Sequence, residues 1–250
     1  MVLARTLDRS SLFSDLITLT PIAHVQSCYP ERFGIPRQAG LVPSATAAIV
    51  FSKSENHKLS LRGIEHFSHI WVVFLFHQGY AKTKPLVQPP RLGGKKTMGV
   101  YATRSPNRPN PIGLSAVSLD RVDYQSHKIL LHIRGGDFLD GTPVLDIKPY
   151  IPYADAIPEA DSAWAIAEPP PLLVLWNAAA QSALEASQGV HIEQARTLIA
   201  ETIAQDPRPA HERGKDGRPG QQWNMRVKGF DVFWQVEAGV ARVTHLTQLS

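Results

Sequence analysis

The chain has 250 residues, of which 43% are hydrophobic, and this is enough for one large domain or for a medium domain with a small one. Its 26 Lys and Arg against 22 Asp and Glu give a formal net charge of +4, which permits a polyanionic partner without requiring one. No apolar run reaches about 18 residues, so we expect no transmembrane helix.

The N-terminus and the cysteine content predict a cytoplasmic protein. The opening stretch MVLARTLDRSSLFSDLITLT mixes aspartates into its apolar residues and lacks the unbroken apolar region of a signal peptide. A single cysteine, Cys28, excludes an internal disulfide and suits a reducing compartment.

Segments typical of strands dominate the first 150 residues. The nearly continuous apolar run FSHIWVVFLFHQ predicts a strand buried on both faces. GLSAVSLDRVDYQ and KILLHIRGG predict a hairpin, and prolines at 149 and 152 favour extended backbone in the next segment. Many short strands with few helical periods indicate a β-barrel or a sandwich rather than a wound α/β sheet.

The composition changes after Tyr153. An Ala/Pro-rich connection precedes two helical patterns, LLVLWNAAAQSALEAS and HIEQARTLIAETIAQ, and two or three terminal strands are predicted from WNMRVKGFDVFWQVEAGVARVTHLTQ. The expected organisation is a mainly-β domain over 1–155, a linker over 156–170 and a small α+β domain over 171–250.

The sequence lacks several familiar catalytic motifs. No G-x-G-x-x-G follows a predicted strand and no Walker A sequence occurs, so an ordinary Rossmann site is not indicated. His66 and His69 have a spacing that could hold a metal on a helix, but the adjoining residues predict a strand, so we expect no metal site. Ser115 is outside a nucleophile elbow, and Cys28 has no activating neighbour in the sequence.

The segment YATRSPNRPNPIGLSAV, residues 101–117, combines stiff backbone with polar side chains. Its three prolines each fix φ, while Arg104 and Arg108 carry planar donor forks suited to a carboxylate or a phosphate. Asn107 and Asn110 can read an edge that has both donors and acceptors. These features favour a stiff binding loop, with a purely structural corner as the alternative.

Two further polar groups end predicted strands. His77 and Gln78 end the most apolar strand, where they either begin a loop or face a ligand. Asp137, Asp140 and Asp146 follow the hairpin, although LDGTP is also a good turn sequence.

Four segments together resemble the TsaA-like, or TrmO, family of S-adenosylmethionine-dependent tRNA methyltransferases: GIPRQAGLVPSA, FSHIWVVFLFHQ, PPRLGGKKTMGVYATRSPNRPNPIGLSAV and DFLDGTPVLDIKPYIPYAD. The resemblance covers about residues 17–155, and AQDPRP and GFDVFWQV extend it into the C-terminal region. It implies a mainly-β fold, namely a TsaA-like β-barrel domain with a small C-terminal α+β domain.

The resemblance also implies an activity and an assembly. Members of the family are homodimers whose cofactor, S-adenosylmethionine, lies close to the subunit interface. They methylate N6 of N6-threonylcarbamoyladenosine, the base immediately 3′ of the anticodon, in a subset of threonine tRNAs.

Cofactor contacts follow from the resemblance position by position. They are Pro36, Arg37, Gln38, His77, Gln78, Arg104, Leu114, Arg134, Gly135, Gly136 and Asp137. Arg37 or Arg104 could hold the cofactor carboxylate, and both are expected to avoid the sulfonium because the charges are alike. Asp137 could accept from the ribose or the amino group, and Leu114 could cover the adenine.

The residues predicted to face the RNA are Arg108, Asn110, Lys148 and Tyr150, which would suit a single-stranded loop. Methyl transfer depends mainly on alignment, and Asp140 is the predicted base for the N6 proton, with a turn residue as the alternative. A non-catalytic nucleotide- or RNA-binding barrel and a methyltransferase for a small molecule are the competing functions.

Overall fold

The structure, a computed structural model, describes residues 17–78, 83–165, 170–213, 215–218 and 220–249. Six strands close into an antiparallel barrel in the order β1-β2-β7-β6-β3-β8. They are β1 (Ala23–Ser27), β2 (Thr46–Ser52), β3 (His69–Leu75), β6 (Ile112–Tyr124), β7 (Lys128–Arg134) and β8 (Pro143–Pro149). Between β3 and β6, a two-stranded ribbon is formed by β4 (Leu86–Val87) and β5 (Met98–Gly99).

The barrel encloses the first hydrophobic core, and β3 shows how the chain fills it. Ile70, Val72 and Phe74 point inward and are buried, whereas Trp71 and Val73 alternate with them and are half-buried. The expectation of a strand buried on both faces is therefore wrong, because a barrel wall has one inner and one outer face. The predicted hairpin of β6 and β7 is confirmed.

The C-terminal part is a four-stranded sheet with two helices, as the α+β prediction required. The sheet order is β10-β11-β12-β9, and β9 runs parallel to β12. Its elements are β9 (Leu173–Trp176), α3 (Ala178–Glu185), α4 (Ile192–Ala204), β10 (Trp223–Val227), β11 (Phe230–Glu237) and β12 (Val240–Gln248). Two short helices, α1 (Glu55–Ser60) and α2 (Pro152–Asp155), lie earlier in the chain.

The first helical pattern of this region was predicted wrongly in its first half. Leu173–Trp176 form a strand, and the helix begins only after Asn177, whose side chain accepts a hydrogen bond from the Ala180 N–H at 2.8 Å. Asn177 therefore marks the boundary between the strand and the helix, because its side chain satisfies a free backbone N–H of the first helical turn.

A loop from the barrel side of the chain, residues 28–45, completes the second hydrophobic core. Cys28, Tyr29, Val42 and Ala45 are buried among residues of α3, α4 and the C-terminal sheet. The Tyr29 hydroxyl lies 3.2 Å from Thr202 Oγ1 of α4, in a buried contact. The loop that carries residues 36–38 is thus packed against both parts of the molecule.

Within the described ranges, none of the helices combines the length and the hydropathy that crossing a bilayer needs.

Gly113 is required by the packing at the open end of the barrel. A Cβ atom at this position would overlap the ring of Phe74, which packs edge-on against Phe76 and Phe138 at centroid distances of 5.1 and 5.0 Å. The absence of a side chain on β6 therefore lets an aromatic cluster lie beneath the strand.

We expect Gly113→Ala to lower the free energy of unfolding by about 1–3 kcal/mol, because the Phe74 ring must leave its place. Gly99→Ala is the matched control, since its added Cβ would meet nothing within 4 Å and its φ is −58°. Denaturant titration of both variants measures the difference. Equal midpoints would contradict the packing role of Gly113.

Candidate functional site

A cavity of about 380 Å³ opens beside the ends of β3 and β6. Its walls come from the loop at 32–38, from β3 and residues 76–78 after it, from the stiff segment at 104–115, and from residues 137–142. These four segments are far apart in the sequence, and the barrel topology brings them together.

Eight of the residues predicted to contact the cofactor line this one cavity. They are Pro36, Arg37, Gln38, His77, Gln78, Arg104, Leu114 and Asp137. A direct contact joins two of the segments, because Arg104 Nη1 donates a hydrogen bond to Gln38 Oε1 at 2.6 Å. That the group binds S-adenosylmethionine stays a prediction at this point.

The structure does not bring the other three predicted cofactor residues to the cavity wall. Arg134 is exposed, and its Nη2 lies 3.5 Å from Asp120 Oδ1. Gly135 has φ +73°, and its backbone bonds to Ala45 and Gly40 hold the end of the 28–45 loop. Gly136 leaves room for the Phe138 ring, which a Cβ would approach to 2.7 Å. The two glycines have evident structural roles.

Asp140 and the predicted RNA-facing residues are dispersed. Asp140 lies off the cavity wall, and its Oδ1 accepts a hydrogen bond from the Ser27 N–H at 2.8 Å, which fits the alternative of a turn residue. Arg108 lines the cavity, whereas Asn110 is exposed and does not. Lys148 is 2.8 Å from Asp146, and the Tyr150 ring packs 5.5 Å from Trp71 of the cavity wall.

An aromatic wall and several polar residues of the cavity were missed in the sequence. Trp71, Phe74 and Phe76 line the cavity, although the apolar run that contains them indicated only a core strand. Trp71 faces outward from β3, Phe74 belongs to its inward row and Phe76 follows its last residue, so no shared local signal marks the three in the sequence. Arg32 and Ser115 also line the cavity, and no motif distinguishes either of them in the sequence.

Asp137 is the one carboxylate on the cavity wall among the described residues. Ser115 Oγ donates a hydrogen bond to its Oδ1 at 2.6 Å. Burial raises the pKa of Asp137, while the Ser115 hydrogen bond and the nearby Arg104 charge act in the opposite direction. A cationic or hydroxyl-bearing ligand next to Asp137 would stabilise the ionised form of this buried carboxyl.

Arg37 lies in a region of excess positive charge. Loss of hydration and the neighbouring Arg213 lower its pKa to about 10, and only Asp206 acts against them. The guanidinium is still protonated at neutral pH, so the cavity wall carries a positive charge that its surroundings disfavour.

The described residues contain no group of three or more His, Cys, Asp or Glu side chains that could hold a metal ion. His69, one of the histidines weighed for such a site, lies within hydrogen-bonding distance of Ser68 and Ser118.

Replacing Asp137 with Asn measures the cost of the buried carboxylate. Its pKa is raised above the ordinary 3.8, so its stabilising contribution is full below that pH and is lost as the pH rises through the folded-state pKa. We expect Asp137→Asn to raise the Tm at neutral pH, by an amount that shrinks as the pH falls toward 3.8. Thermal unfolding at a series of pH values tests this, and a pH-independent difference would contradict it.

The sequence and the fold were compared with known proteins. Residues 24–156 match the profile of the tRNA-methyltransferase O N-terminal domain, and residues 169–249 match that of the TrmO C-terminal domain. The chain is 40% identical over 217 residues to the tRNA (adenine(37)-N6)-methyltransferase of Escherichia coli strain K12, covering 86% of this chain and 91% of the relative. A probable S-adenosyl-L-methionine-binding protein of Pyrococcus abyssi is 39% identical over 150 residues, or 60% of this chain and 76% of the relative.

The structural comparison extends over nearly the whole chain. The crystal structure of TrmO from Pseudomonas aeruginosa is similar with a TM-score of 0.73 and 33% sequence identity, covering 94% of this chain and 99% of that one. The mainly-β fold and the family resemblance predicted from the motifs are both confirmed. The chain belongs to the tRNA-methyltransferase O family.

Proposed function

We propose that this chain is an S-adenosylmethionine-dependent methyltransferase that acts on N6 of adenine 37 in tRNA. We further propose that the target base is N6-threonylcarbamoyladenosine in threonine tRNAs. The observation that carries the proposal is the convergence of eight predicted cofactor residues, from four distant segments, on one cavity. Family membership and the activity named for the Escherichia coli relative support it.

The chemistry of the cavity wall fits the cofactor. Arg104, held by Gln38, suits the cofactor carboxylate through charge-assisted hydrogen bonds. Asp137 suits the amino group or the ribose hydroxyls, and either contact would favour the ionised form of its buried carboxyl. The rings of Trp71 and Phe76 offer a cation-attracting surface for the sulfonium.

When bound, S-adenosylmethionine supplies the electrophilic methyl group. The residues of the chain have to orient the reacting N6, exclude competing water and hold both partners in line, and such alignment can supply several kcal/mol of barrier reduction. A carbamoylated N6–H is more acidic than an adenine amine, so its removal needs no strong base. We do not assign the proton transfer to Asp140, whose carboxylate holds the Ser27 amide instead.

The proposal includes a homodimer in the cytoplasm. The family resemblance supports the homodimer, and the single cysteine of the chain suits a reducing compartment. Sedimentation of the purified protein would test the assembly independently of its activity.

Methyl transfer to tRNA tests the proposed activity. Total tRNA from a strain that lacks its own enzyme is incubated with the protein and labelled methyl donor, and the digested nucleosides are analysed by mass spectrometry. We expect one methyl group on N6-threonylcarbamoyladenosine and none on a transcript that carries plain adenosine at the same place. Binding of the tRNA without transfer would instead support a non-catalytic RNA-binding barrel.

Arg104→Ala should weaken binding of S-adenosylmethionine roughly tenfold or more, because a charge-assisted contact is lost. Arg121→Ala is the matched control, since this exposed arginine pairs with Asp120 and lines none of the cavities described here. Calorimetric titration gives the affinities, and circular dichroism checks that both variants fold. Unchanged affinity in the Arg104 variant would remove this residue from the cofactor site.

A further inference from the structure

A second, smaller cavity of about 140 Å³ adjoins the first. One wall is the loop at 32–37, and the opposite wall consists of Gln205 and Pro207, at the end of α4. Arg32, Ile35, Pro36 and Arg37 line both cavities, so the two spaces share this part of their walls.

Asp206 lies between Gln205 and Pro207 in the sequence, and its carboxylate is already paired. Asp206 accepts two hydrogen bonds from the buried side chain of Arg208, at 2.7 and 2.8 Å. Arg208 Nη1 also donates to the Lys215 carbonyl oxygen at 3.1 Å, so its guanidinium is held from two sides. This bidentate pair neutralises Arg208 and leaves little of the Asp206 charge for other cations.

Two more guanidinium groups lie close by without an anionic partner of their own. Arg213 Nε donates to the Arg208 carbonyl oxygen at 3.1 Å, while its buried Nη2 has no hydrogen-bond partner in the part of the chain described. Among the same residues, the Arg37 side chain makes no hydrogen bond, although it lines both cavities. Three arginines therefore share one carboxylate, and although the Arg37 side chain is exposed to solvent, an anion bound beside them would offset this excess of positive charge.

We propose that the small cavity is a binding subsite for an anionic oxygen group of the RNA substrate, gripped by Arg37 with Gln205 as a second hydrogen-bond donor. The group is either the threonyl carboxylate of the modified base or a backbone phosphate. Both present a pair of anionic oxygens to a guanidinium, on a planar carbon in the first case and on a tetrahedral phosphorus in the second. The proposal rests on the function proposed above. It adds a specificity site at the junction of the two domains.

The position of the cavity favours a group carried by the target base. The threonylcarbamoyl substituent is attached to N6, the atom that receives the methyl group, so its carboxylate must lie next to the cofactor cavity. The small cavity is adjacent to that space and shares a wall with it. A guanidinium matches a carboxylate bidentately, so this arrangement could distinguish the modified adenosine from plain adenosine.

A charge series at Gln205 tests the subsite, because this residue lines the small cavity and not the large one. We expect Gln205→Glu to weaken binding of an anticodon stem-loop carrying N6-threonylcarbamoyladenosine roughly tenfold, Gln205→Ala to weaken it less, and Gln205→Lys to keep or raise it. Affinity for S-adenosylhomocysteine without RNA should stay within about twofold. Gln181→Glu, an exposed change on α3, is the matched control.

Three stem-loops identify the source of the anion: one with the threonylcarbamoyl acid, one with its neutral methyl ester and one with plain adenosine. If only the acid responds to the Gln205 series, the carboxylate occupies the subsite. If all three stem-loops respond equally, and the salt dependence of binding is smaller for Gln205→Glu than for the unchanged protein, a phosphate occupies the subsite. Either result supports the subsite.

The inference would be overturned if binding were insensitive to the charge at position 205, or if only the affinity for S-adenosylhomocysteine followed it. The second result would place the cofactor carboxylate in the small cavity. Failure of the proposed function is seen separately, as absence of methyl transfer by the unchanged protein to the stem-loop carrying the acid. The charge series can still be measured by binding in that case.

Discussion

The loop at 28–45 is the constraint on which the site depends, because it is fixed to both hydrophobic cores. At one end Tyr29 reaches Thr202 of α4, and further along Glu201 accepts hydrogen bonds from the Ser44 amide and hydroxyl at 3.0 and 2.6 Å. The Gly40 amide is bonded to Gly135 of the barrel at 2.8 Å. Residues 36–38 are therefore placed by α4 as much as by the barrel.

This double attachment makes the two domains one functional unit. Glu201 holds the loop, and one turn later the same helix presents Gln205 to the small cavity. Arg208 and Asp206 then stiffen the chain that leaves the helix, at the cost of a left-handed Asp206 with φ +47°. Disturbance of α4 is thus expected to reach both the cofactor wall and the proposed RNA subsite.

The sequence predicted those elements and site residues that have a local sequence pattern. The β6–β7 hairpin and the α4 helix have clear local patterns, and the motif containing Arg104 led to the cavity. In β3, core-facing and cavity-facing apolar residues follow one another, so nothing local separated Trp71 from Ile70. The bidentate pair of the buried Arg208 with Asp206 was missed, because the AQDPRP stretch that contains both residues entered the sequence analysis only through the family resemblance.

Charge balance connects the proposed cofactor cavity with the proposed RNA substrate. S-adenosylmethionine carries a carboxylate, an ammonium and a sulfonium, so its net charge is positive. The cavity wall nevertheless holds four arginines, including Arg32 and Arg108, against the single carboxylate of Asp137 among the described residues. The carboxylate of the proposed cofactor can engage one of these cations, which leaves an excess of positive charge on the wall. A polyanionic substrate would balance this excess, in agreement with the proposed RNA substrate.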